Sequence, residues 1–288
     1  MLQNRLSCEL IIPSYNRISI LESSLKNIRA VYPDLDICIG LQGDRPTGKF
    51  LQHLMKDPHL RIIFKELPST TATLNHCISS SSADIVLLLD DDAIPNPGWL
   101  EAHLTSFERD PNLAYSCGRE IRTSKSKSIL SKSLRMLIHR ILGIFFSPDK
   151  KIRGYVVGWI CRNGLMLGNF DLPGKCLINS PRGCNMGIRR ENFTGTGGFN
   201  EDFRGNAWGF EAEFGWRMAE SGKLGQYNGD AVVQHLEVPM GGSREKSRQK
   251  WFDDFLFNNK ILINRLGKIA WIGSLPRIIK FSIRKTLS

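Results

Sequence analysis

The sequence has little with which to staple, thread or anchor itself. Its seven cysteines are an odd number without one C-x-x-C pair, which argues against both a disulfide framework and a zinc ribbon. Cys8, Cys38 and Cys117 lie instead in apolar, strand-like runs, where a reduced cysteine packs as a small hydrophobe. No run of about 18 uninterrupted apolar residues exists, so no membrane-spanning helix is expected. Met1–Glu9 runs almost at once into a strand pattern, leaving no room for a secretory signal, and the expectation is a cytoplasmic chain. Internal repeats are absent, and the Ser79–Ser82 tract reads as a helix end.

What the chain does have is core material and unevenly placed charge. With 288 residues, 41% of them hydrophobic, it can build one large α/β domain or two small ones. Its net charge of +11 is regional: residues 119–153 hold ten Lys/Arg against two acids, and residues 244–288 hold eleven against three. The rest keeps 18 basic and 23 acidic residues, a net acidic balance. Both basic stretches are also apolar, with Leu134, Leu137, Ile138 and Ile141 among Lys132, Arg135 and Arg140 in the first, and Ile272, Ile278, Ile279 and Phe281 in the second. Basic amphipathic helices suit an anionic membrane surface. Nucleic acid is a weaker partner, because aliphatics stand where stacking aromatics would be wanted. The bland alternative is a pair of helices packed on the domain with a solvated basic face.

Residues 8–118 alternate strand and helix patterns. Cys8–Ile12, Asp36–Leu41, Arg61–Phe64, Asp84–Leu89 and Leu113–Cys117 read as strands. Between them fall the helix face Ile18, Leu21, Leu25 and Ile28, a short helix with Phe50, Leu51 and Leu54, a helix over Thr70–Ser80, and the face Trp99, Leu100, Leu104 and Phe107. Such alternation with short connections implies a doubly wound, mainly parallel sheet. Residues 119–178 break the rhythm as an inserted, basic, helical segment, and Ala231–Gln234 reads as a late strand leading into His235.

Asp90-Asp91-Asp92 directly follows the aliphatic run of the fourth strand. A strand apolar at every position is buried on both faces, and a parallel sheet binds ligands at the carboxyl ends of its strands. Three carboxylates at such an end repel one another, so a divalent cation with a phosphorylated ligand is the expected compensation; an acidic solvated loop is the alternative. Earlier, Ile11–Arg17 closes the first strand and opens the first helix, where a helix N-terminus receives phosphate and Tyr15 offers a stacking face, although a turn built on Pro13 and Asn16 explains it as well. Later, Phe210, Phe214 and Met218 mark a helix face beginning near Glu211, a carboxylate favoured there by the helix dipole or placed there as a general base.

Taken in order, these stations resemble the inverting family 2 glycosyltransferases of the GT-A fold over residues 8–235. Pro13-Ser14-Tyr15-Asn16 matches the family's strand-one Pro-x-Tyr-Asn, and Asp90-Asp91-Asp92 with Pro95 matches its Asp-x-Asp motif. Gly183–Met186 with Gly197–Glu201 matches Gly-x-Asn-Met…Gly-Gly-Phe-Asp-Glu, Asn200 standing for the usual Asp, and Gly209–Arg217 matches the acidic Gly-Glu-Asp-x-Glu-Leu-x-x-Arg segment. The resemblance implies a GT-A-type domain over 1–240, carrying the insertion 119–178, and a basic C-terminal helical extension over 241–288. It implies metal-dependent inverting transfer from a nucleotide-sugar, a UDP-sugar by expectation, to a hydroxyl of a glycan or lipid-linked acceptor in polysaccharide biosynthesis. Asp92, Asp90 and His235 would hold Mn²⁺ or Mg²⁺. Pro13, Tyr15, Asn16, Asp44, Asn75, Asp90 and Asp91 would bind the donor, and Gly183, Asn185 and Trp208 the sugar or acceptor. The base is Glu211 when the segment is aligned through Arg217, with Glu213 as the alternative. Three departures stand out: Leu41-Gln42-Gly43-Asp44 replaces an Asp pair, Thr71–Leu74 before Asn75 lacks the usual Arg, and Phe210-Glu211 replaces Glu-Asp. Together with the two basic stretches, the resemblance places the expected site of action at the cytoplasmic face of a membrane. A nucleotidyltransferase of similar architecture competes, but lacks its glycine-rich basic phosphate loop here; a non-catalytic membrane-surface or glycan-binding protein would need neither Asp92 nor Glu211.

Overall fold

A computed structural model describes residues 6–43, 52, 54, 56–122, 157–236 and 247–286. In it the aliphatic run Ile85–Leu89 forms β4, buried at every position, as a strand without polar alternation must be. Cys8–Tyr15 (β1), Ile37–Gln42 (β2) and Leu60–Lys65 (β3) complete a parallel set in the order β3-β2-β1-β4. Alternation sorts the side chains onto two faces. Leu10, Ile12, Ile85, Leu87 and Leu89 pack under α1 (Ile18–Val31) and α3 (Trp99–Arg109), through Leu21, Leu25, Ile28, Trp99 and Phe107. Ile11, Val86 and Leu88 turn the other way, toward α2 (Thr70–Ser79). The sheet is thus doubly wound, as expected.

The remaining strands make the sheet mixed. Ala93–Pro95 (β5), Tyr115–Arg122 (β6), Trp159–Ile160 (β7), Met166–Leu167 (β8), Lys175–Ile178 (β9), Asn185–Arg189 (β10) and Gly225–His235 (β11) follow in sequence. The main sheet reads β3-β2-β1-β4-β10-β6-β11-β5, with β9 also on β11 and β7 paired to β8 in a separate hairpin. Strand β10 enters antiparallel between β4 and β6. Two further helices, α4 (Arg190–Gly195) and α5 (Phe210–Glu220), close the second face; Phe214 is fully buried against Phe199 at 4.9 Å and Tyr115 at 6.2 Å. Truncating such a ring costs about 3–5 kcal/mol.

Helices α6 (Arg248–Leu266) and α7 (Ala270–Thr286) form the expected C-terminal helical region. Of the expected short helix, Gln52 and Leu54 are helical, while Phe50 and Leu51 lie outside the described residues. Within the segment read as a helical insertion, the described parts are the end of β6, the β7–β8 hairpin and β9; residues 123–156 lie outside the described residues. No described helix is long and apolar enough to cross a membrane.

Candidate active site

Strand register assembles the site. Beyond β4 the chain turns through Asp90–Asp92 into β5, and β5 pairs with β11 so that His235 stands opposite Ala93, next to Asp92. The Leu236 amide donates to the Asp92 carbonyl at 2.8 Å and fixes that approach. On the other side, β10 pairs with β4 so that Asn185 faces Leu89, which brings the Arg182–Cys184 turn beside Asp90.

The three carboxylates have separate fates. Asp91 is buried, accepts the Ser14 hydroxyl at 2.6 Å, and is gripped by the Arg17 guanidinium through Nε at 3.2 Å and through a second, shorter contact. The same guanidinium donates to Asp92 Oδ2 at 3.1 Å. Burial disfavours the charge on Arg17, but Asp91 and Asp92 outweigh it and hold the group firmly cationic. Part of the expected acid compensation is therefore an arginine. Among the described residues Asp90 has no such arginine partner. Its side chain stays 42% exposed; partial withdrawal from water, reinforced by Asp92, Asp91 and Glu211 and opposed by His235, shifts its carboxyl upward.

Asp92 and Asp90 share His235. Its Nε2 lies 2.9 Å from Asp92 Oδ1 and 3.8 Å from Asp90 Oδ2, while Nδ1 meets Glu120 Oε1 at 2.6 Å. Burial works against the imidazolium, yet the hydrogen bonds to Asp92 and Glu120 and the charge of Asp90 push it up to about 9. One donor atom from each of Asp90, Asp92 and His235 lies within 4.8 Å of the others, a set of two carboxylates and one imidazole that suits Mn²⁺ and, less specifically, Mg²⁺. Glu120 on Nδ1 leaves Nε2 facing the aspartates, the arrangement by which a second carboxylate orients a ligating histidine. Glu120, Cys184 and His235 also converge. There, however, Arg122 at 2.8 Å and Arg182 at 3.1 Å already neutralise Glu120 and oppose a cation.

Asp90, His235, Pro13, Arg182, Gly183 and Glu211 line one cavity of about 200 Å³, with Leu74 and Phe210 among its apolar walls. Gly209, at φ 91, caps α5 in the left-handed region that glycine tolerates best, and so starts the helix with Glu211 in its first turn. Glu211 accepts the Gly183 amide at 3.1 Å, and a Cβ at Gly183 would come within 3.2 Å of Glu211 Oε1. Burial raises the Glu211 carboxyl, more than the Gly183 amide and Arg182 lower it. Glu213 is placed differently: buried, it pairs with Arg217 at 2.8 Å and Arg265 at 3.4 Å and does not line the cavity.

Other expected site residues are scattered around this centre. Tyr15 and Asn16 close over Gly43, where a Cβ would meet the Tyr15 ring at 2.6 Å; Asp44 lies outside the described residues. Asn75 spends its amide on a loop, exchanging bonds of 2.8 Å with Phe199 and donating to Glu201. The structure does not bring Asn185 or Trp208 to the cavity lining. Asn185 is buried with its Oδ1 accepting from Trp99 at 2.8 Å and meeting His103 at 2.9 Å, and its amide donates to Arg119 and Ala231. Trp208 packs on Phe255 and under Arg277. Sequence reading missed Arg17, Glu120 and Arg182. Arg17 immediately follows the Pro-x-Tyr-Asn station, and Glu120 is a buried charge in the part of β6 beyond Cys117, assigned by pattern to the insertion.

A family model described as Glycosyl transferase family 2 matches residues 9–171. Chondroitin synthase of Escherichia coli is 25% identical over 259 residues, covering 83% of this chain but 36% of that protein, so the chain spans about a third of its relative. Among solved structures, GalNAc-T7 with UDP, GalNAc and Mn²⁺ superposes with a TM-score of 0.61 at 12% identity, over 90% of this chain and 48% of that one. The mannosyltransferase PcManGT from Pyrobaculum calidifontis, in complex with GDP-Man and Mn²⁺, gives 0.59 at 15% identity, over 98% and 74%. The fold is that of the GT-A glycosyltransferases.

Proposed function

The chain belongs to glycosyl transferase family 2, and on that premise we propose that it is a metal-dependent inverting glycosyltransferase. The observation that carries this reading is the cluster of Asp90, Asp92 and His235, of which Asp90 and His235 line the cavity that also holds Glu211. Asp90, Asp92 and His235 would hold Mn²⁺ or Mg²⁺. When bound, the cation supplies Lewis-acid stabilisation of the departing diphosphate. Glu211 takes the proton of the acceptor hydroxyl as it attacks, and its raised pKa makes it a stronger base than a solvated glutamate. One base and one direct displacement invert the anomeric centre. Arg182 adds a fixed positive charge in the cavity wall. At about 200 Å³ the chamber falls below the roughly 300–1,000 Å³ of ordinary ligand pockets, so it accommodates the reacting end of a donor rather than a whole nucleotide-sugar.

A UDP-sugar donor is supported by the UDP and GalNAc named in the GalNAc-T7 complex and by the chondroitin synthase relative; that relative also supports a growing polysaccharide as acceptor. An acceptor carried on lipid at the inner membrane face fits the regional basicity of 119–153 and 244–288. The test offers labelled UDP- and GDP-sugars to the protein together with a glycan oligosaccharide acceptor, with Mn²⁺ or with chelator, then reads the anomeric configuration of the new glycosidic bond by NMR. Mn²⁺-dependent release with inverted product is expected. Release that ignores chelator, or a retained configuration, removes the mechanism.

A further inference from the structure

Helix α7 is built the wrong way round for an ordinary surface helix. Small and polar residues face the protein: the Gly273 amide donates to the Asn163 carbonyl at 2.7 Å, and a Cβ there would meet the Leu165 nitrogen at 2.2 Å. Arg277 donates to the Gly164 carbonyl at 2.6 Å and lies over Trp208, while Phe281 packs on Trp251 and Phe255. The outward face is apolar. Ile272, Leu275, Ile279 and Ile283 recur at helical spacing, with Ile269 and Trp271 at the leading edge, each between 49% and 62% exposed. A solvated helix turns such a stripe inward, and a contiguous exposed apolar patch marks a contact surface.

Charge decides the occupant. Residues 267–288 carry five Lys/Arg and no Asp or Glu, and Lys268 and Lys280 are exposed beside the stripe. A second copy docking by the same face would bring like charge against like, and so would the basic stretch 119–153 of the same chain. The partner must be both apolar and anionic, which is the surface of a bilayer containing acidic lipids. Trp271 at the edge matches the preference of indole for the headgroup boundary.

We propose that α7 lies in the interface of an anionic bilayer, with Ile272, Leu275, Ile279 and Ile283 among the acyl chains and Lys268 and Lys280 at the headgroups. The inference rests on surface residues alone and stands independently of the transfer chemistry. Flotation of the full chain with vesicles of phosphatidylcholine, with and without phosphatidylglycerol, tests it. Recovery with the anionic vesicles is expected to exceed that with neutral ones and to fall with salt. Lys268→Gln and Lys280→Gln each lower partitioning about fivefold. Leu275→Ser combined with Ile279→Ser lowers it more than tenfold, with an unchanged melting curve because both side chains are half exposed. Equal recovery with both vesicle types, recovery with neither, undiminished binding by the double variant, or a concentration-dependent dimer abolished by it would each overturn the proposal.

Discussion

Arg17 is the counter-ion around which the acidic turn is built, and its removal has a calculable consequence. Arg17→Met leaves the buried Asp91 carboxylate with, among the described residues, only the Ser14 hydroxyl and deprives Asp92 Oδ2 of its 3.1 Å partner. The Arg17 side chain is 13% exposed and that of Asp91 1%, so solvent screening offers little relief. Breaking such a buried pair from one side costs about 3–5 kcal/mol. For a chain of this size that corresponds to a fall in Tm of roughly 6–20 °C. The penalty comes from an uncompensated charge, so Asp91→Asn in the same chain, which keeps an acceptor for Ser14, is expected to restore most of the loss. Equilibrium urea unfolding of the wild type, the two single variants and the double closes the cycle. A loss below about 1 kcal/mol for Arg17→Met, or a double variant no better than the single, would refute the assignment of Arg17 as structural counter-ion.

Three further outcomes follow from particular contacts. Glu211→Gln keeps shape but cannot accept the proton, so turnover falls by about 10²–10⁴ with donor binding retained. Glu213→Gln lies in the Arg217–Arg265 pair and lowers stability instead, and single-turnover kinetics beside thermal melts separate the two. Glu120→Ala frees His235 Nδ1 and is expected to weaken Mn²⁺ binding about 10–100-fold. Glu120→Gln, which still offers an oxygen to Nδ1, retains more of it, as calorimetric titration with Mn²⁺ alone will show. Burial, only partly opposed by the bond to Asn185, lowers His103 to about 4. The unfolded chain therefore takes up this proton first as pH falls. The stability that His103 lends as a neutral group is complete above about pH 6.5 and is lost on the way down to about 4, by about 3 kcal/mol. His103→Leu flattens that part of the curve of stability against pH.

Much of this molecule is legible in its residues, for reasons that can be named. Ile85–Leu89 has no polar alternation, so only a strand covered on both faces fits it, and the carboxylates after it had to lie at the ligand-binding edge of a parallel sheet. The helix faces at Leu21–Ile28 and Trp99–Phe107 are strictly periodic, and both appear where the pattern puts them. Strand β10 was not legible, because Asn185-Met186-Gly187-Ile188 is short and lacks β-branched alternation; its conformation is imposed by β4 and β6 on either side. Glu120 was hidden for a related reason. Charges at Arg119, Glu120 and Arg122 look like the end of a strand, but pairing with β11 carries β6 on to Arg122. Asn185 reads as a ligand-binding amide in sequence, whereas its polar atoms meet Trp99, His103, Arg119 and Ala231 in the fold. Tertiary partners of this kind leave no trace in local pattern.

The central claim is that Asp90, Asp92 and His235 form a metal site for the donor diphosphate. Calorimetry of UDP binding to the wild type and to Asp92→Ala, each with Mn²⁺ and with chelator, tests it most directly, with a melting curve to confirm that the variant is folded. UDP binding that requires Mn²⁺ in the wild type and disappears in folded Asp92→Ala is the predicted result. Undiminished Mn²⁺-dependent binding by Asp92→Ala would contradict it.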